Sequence, residues 1–153
     1  MGKISSDQYF WAKTTPEGLP GISVYEHMLN VGQVARLIAD ALGALLHRFQ
    51  ITSDLSGALS ALHDIGKISP GFEQKNEQWL RENGLVDIAR KNVWDTAMEK
   101  KHGRVSHCII QDFLIEKKVS RKTAKYIAAA LGSHHGKLID RPNDRGVRSH
   151  LKQ

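Results

Sequence analysis

Between Val24 and Leu45, apolar side chains return at the spacing of a helix turn: Val24, Met28, Val31, Val34, Leu37, Ile38, Ala41, Leu42 and Leu45. A stripe of that length and period constrains the fold more than any other feature, because it fits a long amphipathic helix and no strand. Ser23 precedes it and Glu26 follows three residues on. In that pattern each side chain satisfies the other's free backbone N–H. The spacing predicts a helix over about 24–47.

The same period continues downstream. Ser53 or Asp54 starts a second helix with Leu55, Ala58, Leu59 and Leu62 as its buried stripe, running out at Gly66. A short helix over 72–82 ends at Asn83-Gly84, and another is expected from Leu85 to about Arg90. Residues 91–101 show no clear pattern. Val105, Ile109 and Phe113, beside Ile110 and Leu114, mark a helix over about 103–117. Ser120 caps a last one, with Ala124, Ile127, Ala128 and Leu131 on one face, ending near Gly136. Residues 14–21 carry loop chemistry, and no strand-like alternation or internal repeat appears. The reading is an all-α single domain of five to seven helices.

Composition narrows the class. At 153 residues, 41% hydrophobic and 25% charged, the chain affords one domain with a real core and is neither disordered nor collagen-like. No apolar run approaches the roughly 18 residues of a membrane span, and the first residues lack a signal peptide's apolar core. Cys108 is the single cysteine, which excludes an internal disulfide and a cysteine-rich zinc site. A cytoplasmic protein without membrane contact is expected. Its 22 Lys and Arg against 16 Asp and Glu give a formal charge of +6, which favours polyanionic partners. After Lys137 the sequence turns polar and reads as a loop cut before its next element.

Eight histidines raise a sharper question. His63-Asp64 closes an apolar helix, in Ala61-Leu62-His63-Asp64-Ile65-Gly66-Lys67. A buried carboxylate is costly unless paired or metal-bound. The plain alternative is that Asp64 faces solvent or pairs with Lys67. His27 lies near the start of the long helix on its apolar side, His102 opens a helix, and His134-His135 close another. Each alone reads best as a satisfied core histidine. Together with Asp64 they fit one pocket where four packed helices bring their ends together. Neutral imidazoles and a bridging carboxylate suit Mn, Fe, Co, Ni or Zn. A bridged pair of metals activates water and stabilises a phosphoryl transition state. His102 is favoured over His107 as the ligand. His47 suits a helix C-terminus, and His150 sits in the polar tail.

These residues resemble the HD superfamily of metal-dependent phosphohydrolases. More narrowly, they resemble its CRISPR-associated branch, the HD nuclease domain of type I interference nuclease-helicases. The likeness runs over nearly the whole chain. It begins at Tyr9-Phe10-Trp11-Ala12-Lys13 and continues through His27 in Tyr25-Glu26-His27-Met28-Leu29-Asn30-Val31. Its most specific piece is Leu62-His63-Asp64-Ile65-Gly66-Lys67-Ile68-Ser69-Pro70-Gly71-Phe72-Glu73-Gln74-Lys75. Lys101-His102-Gly103 through Ser106, and Ser133-His134-His135-Gly136, complete it.

The resemblance implies an HD-domain helical bundle with two metals bridged by Asp64. His27 and His63 would hold one; His102, His134 and His135 the other. Lys67 would lie near the scissile phosphate, which makes Asp64 and Lys67 the catalytic candidates. The metals implied are Mn, Fe, Co, Ni or Mg. The substrate implied is single-stranded DNA, cut in concert with a helicase region or separate helicase and delivered by an RNA-guided surveillance complex. One departure matters. The family places a further Asp, often before Trp, downstream of the paired histidines, and no Asp-Trp follows His135 here. Asp140 and Asp144 stand in the polar tail at the wrong distance. The expectation is one HD nuclease domain over 1–153, cut short at its C-terminus, with no helicase region, no phosphate-binding P-loop and one metal position incomplete. Two alternatives stand beside it. One is a nucleotide phosphohydrolase, which the basic charge and the Phe72-to-Lys75 run disfavour. The other is a non-catalytic or weakly active module that binds the surveillance complex or DNA, which the missing Asp favours.

Overall fold

The computed structural model describes residues 10–87 and 101–136. The expectations on Tyr9, the end of the 85–90 helix, Asp140, Asp144 and His150 lie outside the described residues. Within them the chain is all-α. It forms α1 (Val24–Ala41), α2 (Gly43–His47), α3 (Ser53–Ala61), a 3-10 turn (Leu62–Lys67), α4 (Pro70–Glu73), α5 (Glu77–Glu82), α6 (His102–Glu116) and α7 (Arg121–Gly132).

The capping box at α1 forms as the sequence implies: the Glu26 N–H donates to Ser23 Oγ at 3.2 Å and the Ser23 N–H to Glu26 Oε2 at 3.2 Å. The long helix breaks at Leu42 (φ −93°, ψ 13°) and restarts as α2. Thr52, rather than Ser53 or Asp54, caps α3, accepting from the Leu55 N–H at 3.1 Å. After Ala61 the chain tightens into the 3-10 turn instead of continuing as α-helix. The helix expected over 72–82 is two short ones. Pro70 opens the first, and Asn76 caps the second through the Trp79 N–H at 3.0 Å. Ser120 caps α7 as expected.

α1 and α3 meet backbone to backbone. A Cβ on Gly57 would stand 2.9 Å from the Gly32 carbonyl oxygen, and one on Gly32 would stand 3.1 Å from that of Gly57. That close approach corrects the expected stripes. α3 turns Gly57 inward and leaves Leu55 exposed. α1 buries Val24 and Ala39, while Val34, Leu37, Ile38 and Leu45 stay exposed. At 1.5 Å per residue, nine-residue α3 reaches along only about half of eighteen-residue α1, so much of the stripe meets no described element.

α6 and α7 form a hairpin around Ile110, Leu114, Ala124 and Ala128, onto which Leu62 and Ile65 of the 3-10 turn fold. Gly66 makes that junction. Its N–H donates to Ser106 Oγ at 2.9 Å, and a Cβ there would overlap the His102 carbonyl and the Ser106 backbone nitrogen. A second cluster joins Trp11, Phe72, Trp79 and Leu80. The segment entering α1 doubles back on itself, with the Ala12 N–H on the Ile22 carbonyl and the Val24 N–H on the Phe10 carbonyl. Glu73 pins Trp11 at two points: it accepts the backbone N–H at 3.4 Å through Oε2 and the indole N–H at 3.3 Å through its carbonyl. Its side chain is 1% exposed. Burial pushes the carboxyl up to about 9, against the opposing Trp11 hydrogen bond and Lys67 charge, so it is neutral at pH 7.

Two outcomes are expected. Gly66→Ala forces backbone apart at the junction and lowers stability by about 3 kcal/mol or more, read by thermal denaturation. Glu73 binds its proton more tightly folded than unfolded, so its contribution is full below pH 4.5 and fades as pH rises toward 9. Glu73→Gln, which keeps the neutral shape, should therefore gain stability over the wild type across that window, by roughly 1–3 kcal/mol at pH 7. A gain that does not grow with pH would contradict the neutral carboxyl.

Candidate metal centre

Four pieces of chain supply the centre. His27 stands in the opening turns of α1, and His63 and Asp64 on the 3-10 turn. His102 is the first residue of α6, and His134 and His135 follow the end of α7. These elements therefore deliver all six predicted ligands to one place.

Asp64 is at the centre of it. Its Oδ2 lies 3.0 Å from His27 Nε2 and 3.2 Å from His63 Nε2. Its Oδ1 lies 3.1 Å from His102 Nε2 and 3.2 Å from His134 Nε2. His135 Nε2 completes the second group, 3.0 Å from His102 Nε2. Each group, His27–His63–Asp64 and His102–His134–His135, offers ligand atoms within 4.8 Å of one another. No further carboxylate joins the first group among the described residues.

In a 3-10 turn, residues three apart eclipse each other, which sets Lys67 directly over Asp64. Its ammonium is 2.8 Å from Oδ2 and donates to the Ala12 carbonyl at 2.9 Å. The Asp64–Lys67 pair and the convergence of histidines, posed as alternatives by the sequence, thus coexist. Both side chains are buried. Burial alone would raise the Asp64 pKa; the close imidazoles of His102 and His63 and the Lys67 ammonium outweigh it and hold the carboxyl far below the usual carboxylate range.

The rings are oriented for ligation. His63 Nδ1 is 2.8 Å from the Ser60 carbonyl and His134 Nδ1 is 2.8 Å from the Leu131 carbonyl. A carbonyl only accepts, so each Nδ1 carries a proton and Nε2 is the nitrogen turned toward Asp64, the one that would offer its lone pair to a metal. Those carbonyls belong to last helical turns, where regular intrahelical donors run out; the Leu131 carbonyl also accepts the His134 N–H at 3.4 Å. Burial, with nearby positive charge from Lys67, holds His27 below its ordinary pKa; burial does the same for His134 and His135.

This donor set fits a divalent metal. His102 Nε2 faces His134 Nε2 at 3.3 Å and His135 Nε2 at 3.0 Å, and neutral nitrogens cannot all satisfy one another at such distances. Asp64 Oδ1 is buried and accepts no well-aligned hydrogen bond. A cation among these atoms resolves both conditions.

Two other histidines take no part: His107 is buried within α6, and His47 is exposed at the end of α2. Sequence reasoning missed the supporting atoms. Ser106 appeared there as the end of the Lys101-to-Ser106 run, Gly66 as a helix end and Ala12 as part of an aromatic opening. A glycine beside the His-Asp pair was the one available sign of a close backbone contact.

The family model described as Cas3, HD domain, matches residues 11–153. Over 97 residues the chain is 30% identical to the CRISPR-associated endonuclease/helicase Cas3 of Thermus thermophilus, covering 63% of this chain and 10% of that protein. The matched region is thus about a tenth of that curated relative's length. No solved structure matches the chain. With the family match extending over all but the first ten residues, and a helical fold that gathers the histidines around Asp64, this chain belongs to the Cas3 HD-domain family.

Proposed function

We propose that this chain is a metal-dependent nuclease domain that hydrolyses phosphodiester bonds of single-stranded DNA, with Asp64 bridging two metal positions. The observation that carries the reading is the division of Asp64: one oxygen toward His102 and His134, the other toward His27 and His63. Asp64 Oδ1 with His102, His134 and His135 would hold one metal, and Oδ2 with His27 and His63 the other. When bound, such a pair supplies water activated near neutral pH and positive charge on a phosphoryl oxygen. Five imidazoles favour Mn, Fe, Co or Ni over Mg, which prefers oxygen ligands.

The chain's own residues set the geometry. The Ser60 and Leu131 carbonyls hold two rings in their ligating tautomer, and Lys67 neutralises Asp64 while tying it to Ala12. The formal charge of +6 suits a phosphate backbone better than a single nucleotide. Cytoplasmic action, a helicase region or separate helicase, and delivery by an RNA-guided surveillance complex complete the reading. They rest on family membership and on the relative's name as an endonuclease/helicase.

The two metal positions are unequal. Lys67 places its ammonium against Oδ2, the oxygen shared with His27 and His63, and that charge opposes a second cation there. No comparable charge faces Oδ1 among the described residues. Titration with manganese should therefore show a tight first event that His135→Gln weakens and a weaker second event that His63→Gln weakens. Two equally tight events would contradict this.

Asp64→Ala removes a ligand from both positions. Metal binding and manganese-dependent cleavage of a single-stranded oligonucleotide should fall together, by more than the roughly 100-fold that loss of an outer-shell partner costs. Exposed His47→Gln should change neither. Cleavage of nucleoside triphosphates in preference to the oligonucleotide would replace the nuclease reading with a nucleotide hydrolase. Full activity in Asp64→Ala would remove both.

A further inference from the structure

Among the described residues, the densest run of basic side chains lies away from the metal centre. Lys117, Lys118, Arg121, Lys122 and Lys125 are five cations within nine residues, all exposed, around the turn from α6 to α7. Among the described residues, ion pairs such as Arg36–Asp54 and Arg81–Glu77 lie elsewhere, and none of the five cations pairs with a carboxylate. Arg121 and Lys125 sit four apart on α7, where like charges repel. Two exposed aromatic rings flank the cations: Phe113, one turn before Lys117, and Tyr126, beside Lys125. The Lys117 ammonium lies 5.5 Å from the centre of the Phe113 ring.

The hairpin gives this patch a defined place. α6 starts at His102, and α7 ends just before His134 and His135, so the histidines occupy one end and the cations the other. Fifteen residues of helix set the two ends about 20 Å apart.

We infer that the α6–α7 turn is a second anchoring surface for single-stranded nucleic acid, holding the strand about 20 Å from the metal centre. Cations alone would accept any polyanion. Exposed aromatic rings among them favour a single strand, whose unpaired bases present faces for stacking, whereas a duplex keeps those faces inside. The inference rests on the nuclease reading for its strand, and it adds a consequence of length. At about 3.4 Å per stacked nucleotide, some six nucleotides span the gap. A shorter strand held at the centre cannot touch the turn; a longer one can.

The test is fluorescence anisotropy with thymidine oligonucleotides of about 4 and about 15 nucleotides, under chelator and at several salt concentrations. It compares the wild-type chain with a combined Lys117→Gln, Arg121→Gln, Lys122→Gln and Lys125→Gln variant, and separately with Tyr126→Ala. All the changed residues are exposed, and melting curves establish that the fold is kept. For the long strand, the combined variant should bind at least about tenfold more weakly, with a salt slope shallower by roughly 3, since each lost single-strand phosphate contact removes about 0.7. Tyr126→Ala should weaken the long strand about fivefold or more at unchanged slope. Neither variant should alter binding of the short strand or its manganese-dependent cleavage. Unchanged long-strand affinity in the combined variant overturns the inference and leaves the turn to a different partner, such as an acidic protein surface. Equal loss on both lengths also overturns it, because the effect would then be general electrostatics. The nuclease reading fails separately: a wild-type chain that binds with the predicted length dependence yet cuts neither strand with manganese retains the anchoring surface and loses the nuclease.

Discussion

The contact between Gly66 and the first turn of α6 is the constraint on which the centre depends. It is a backbone contact, so its geometry does not relax by side-chain rotation. Two residues before it stands Asp64, and directly across from it His102 begins α6. The one junction therefore sets the distance between the shared carboxylate and the second group of histidines. α7, packed along α6, carries the same constraint on to His134 and His135. α1 reaches the turn from the other side, held on α3 by the Gly32–Gly57 contact, and brings His27. A centre built from four distant pieces of sequence thus rests on two places where a side chain is missing.

Two carboxyls in this region carry opposite protonation states at nearly equal burial. Asp64 is 3% exposed and Glu73 is 1% exposed. Asp64 meets an ammonium at 2.8 Å and four imidazole nitrogens within 3.2 Å, and it stays ionised. Glu73 meets one backbone N–H at 3.4 Å and stays protonated. Lys67 lies near both and spends its hydrogen bonds on Asp64 and the Ala12 carbonyl. Number and distance of polar partners, more than burial, separate the two groups.

Much of this was legible in the sequence because it is local. The Ser23 and Ser120 caps, the helical period of α6 and α7, and the placement of His27, His63, Asp64, His102, His134 and His135 at helix ends all follow from spacing. Features that depend on what lies opposite were not legible. The Val34–Leu37–Ile38 stripe signals an amphipathic helix, yet its exposure depends on the reach of α3. The Gly32–Gly57 approach leaves no trace in hydrophobic periodicity. The neutral state of Glu73 and the tethers from Ser60 and Leu131 arise only when remote or sequential backbone groups are fixed in space. The 3-10 geometry of residues 62–67 was hidden for a related reason. Its apolar residues fit an α-helix equally well, and packing against Ser106 selects the tighter form.

That tighter form has a consequence for how the protein matures. By eclipsing Lys67 over Asp64, the 3-10 turn gives the buried carboxylate a resident counter-ion on the same six residues. An unpaired buried charge would make the empty centre hard to fold, as in small domains that collapse only around their metal. Here the turn carries its own neutralising partner before any cation arrives. For the proposed metal centre, folding would then be separable from metal acquisition, because the carboxylate is neutralised within the turn itself.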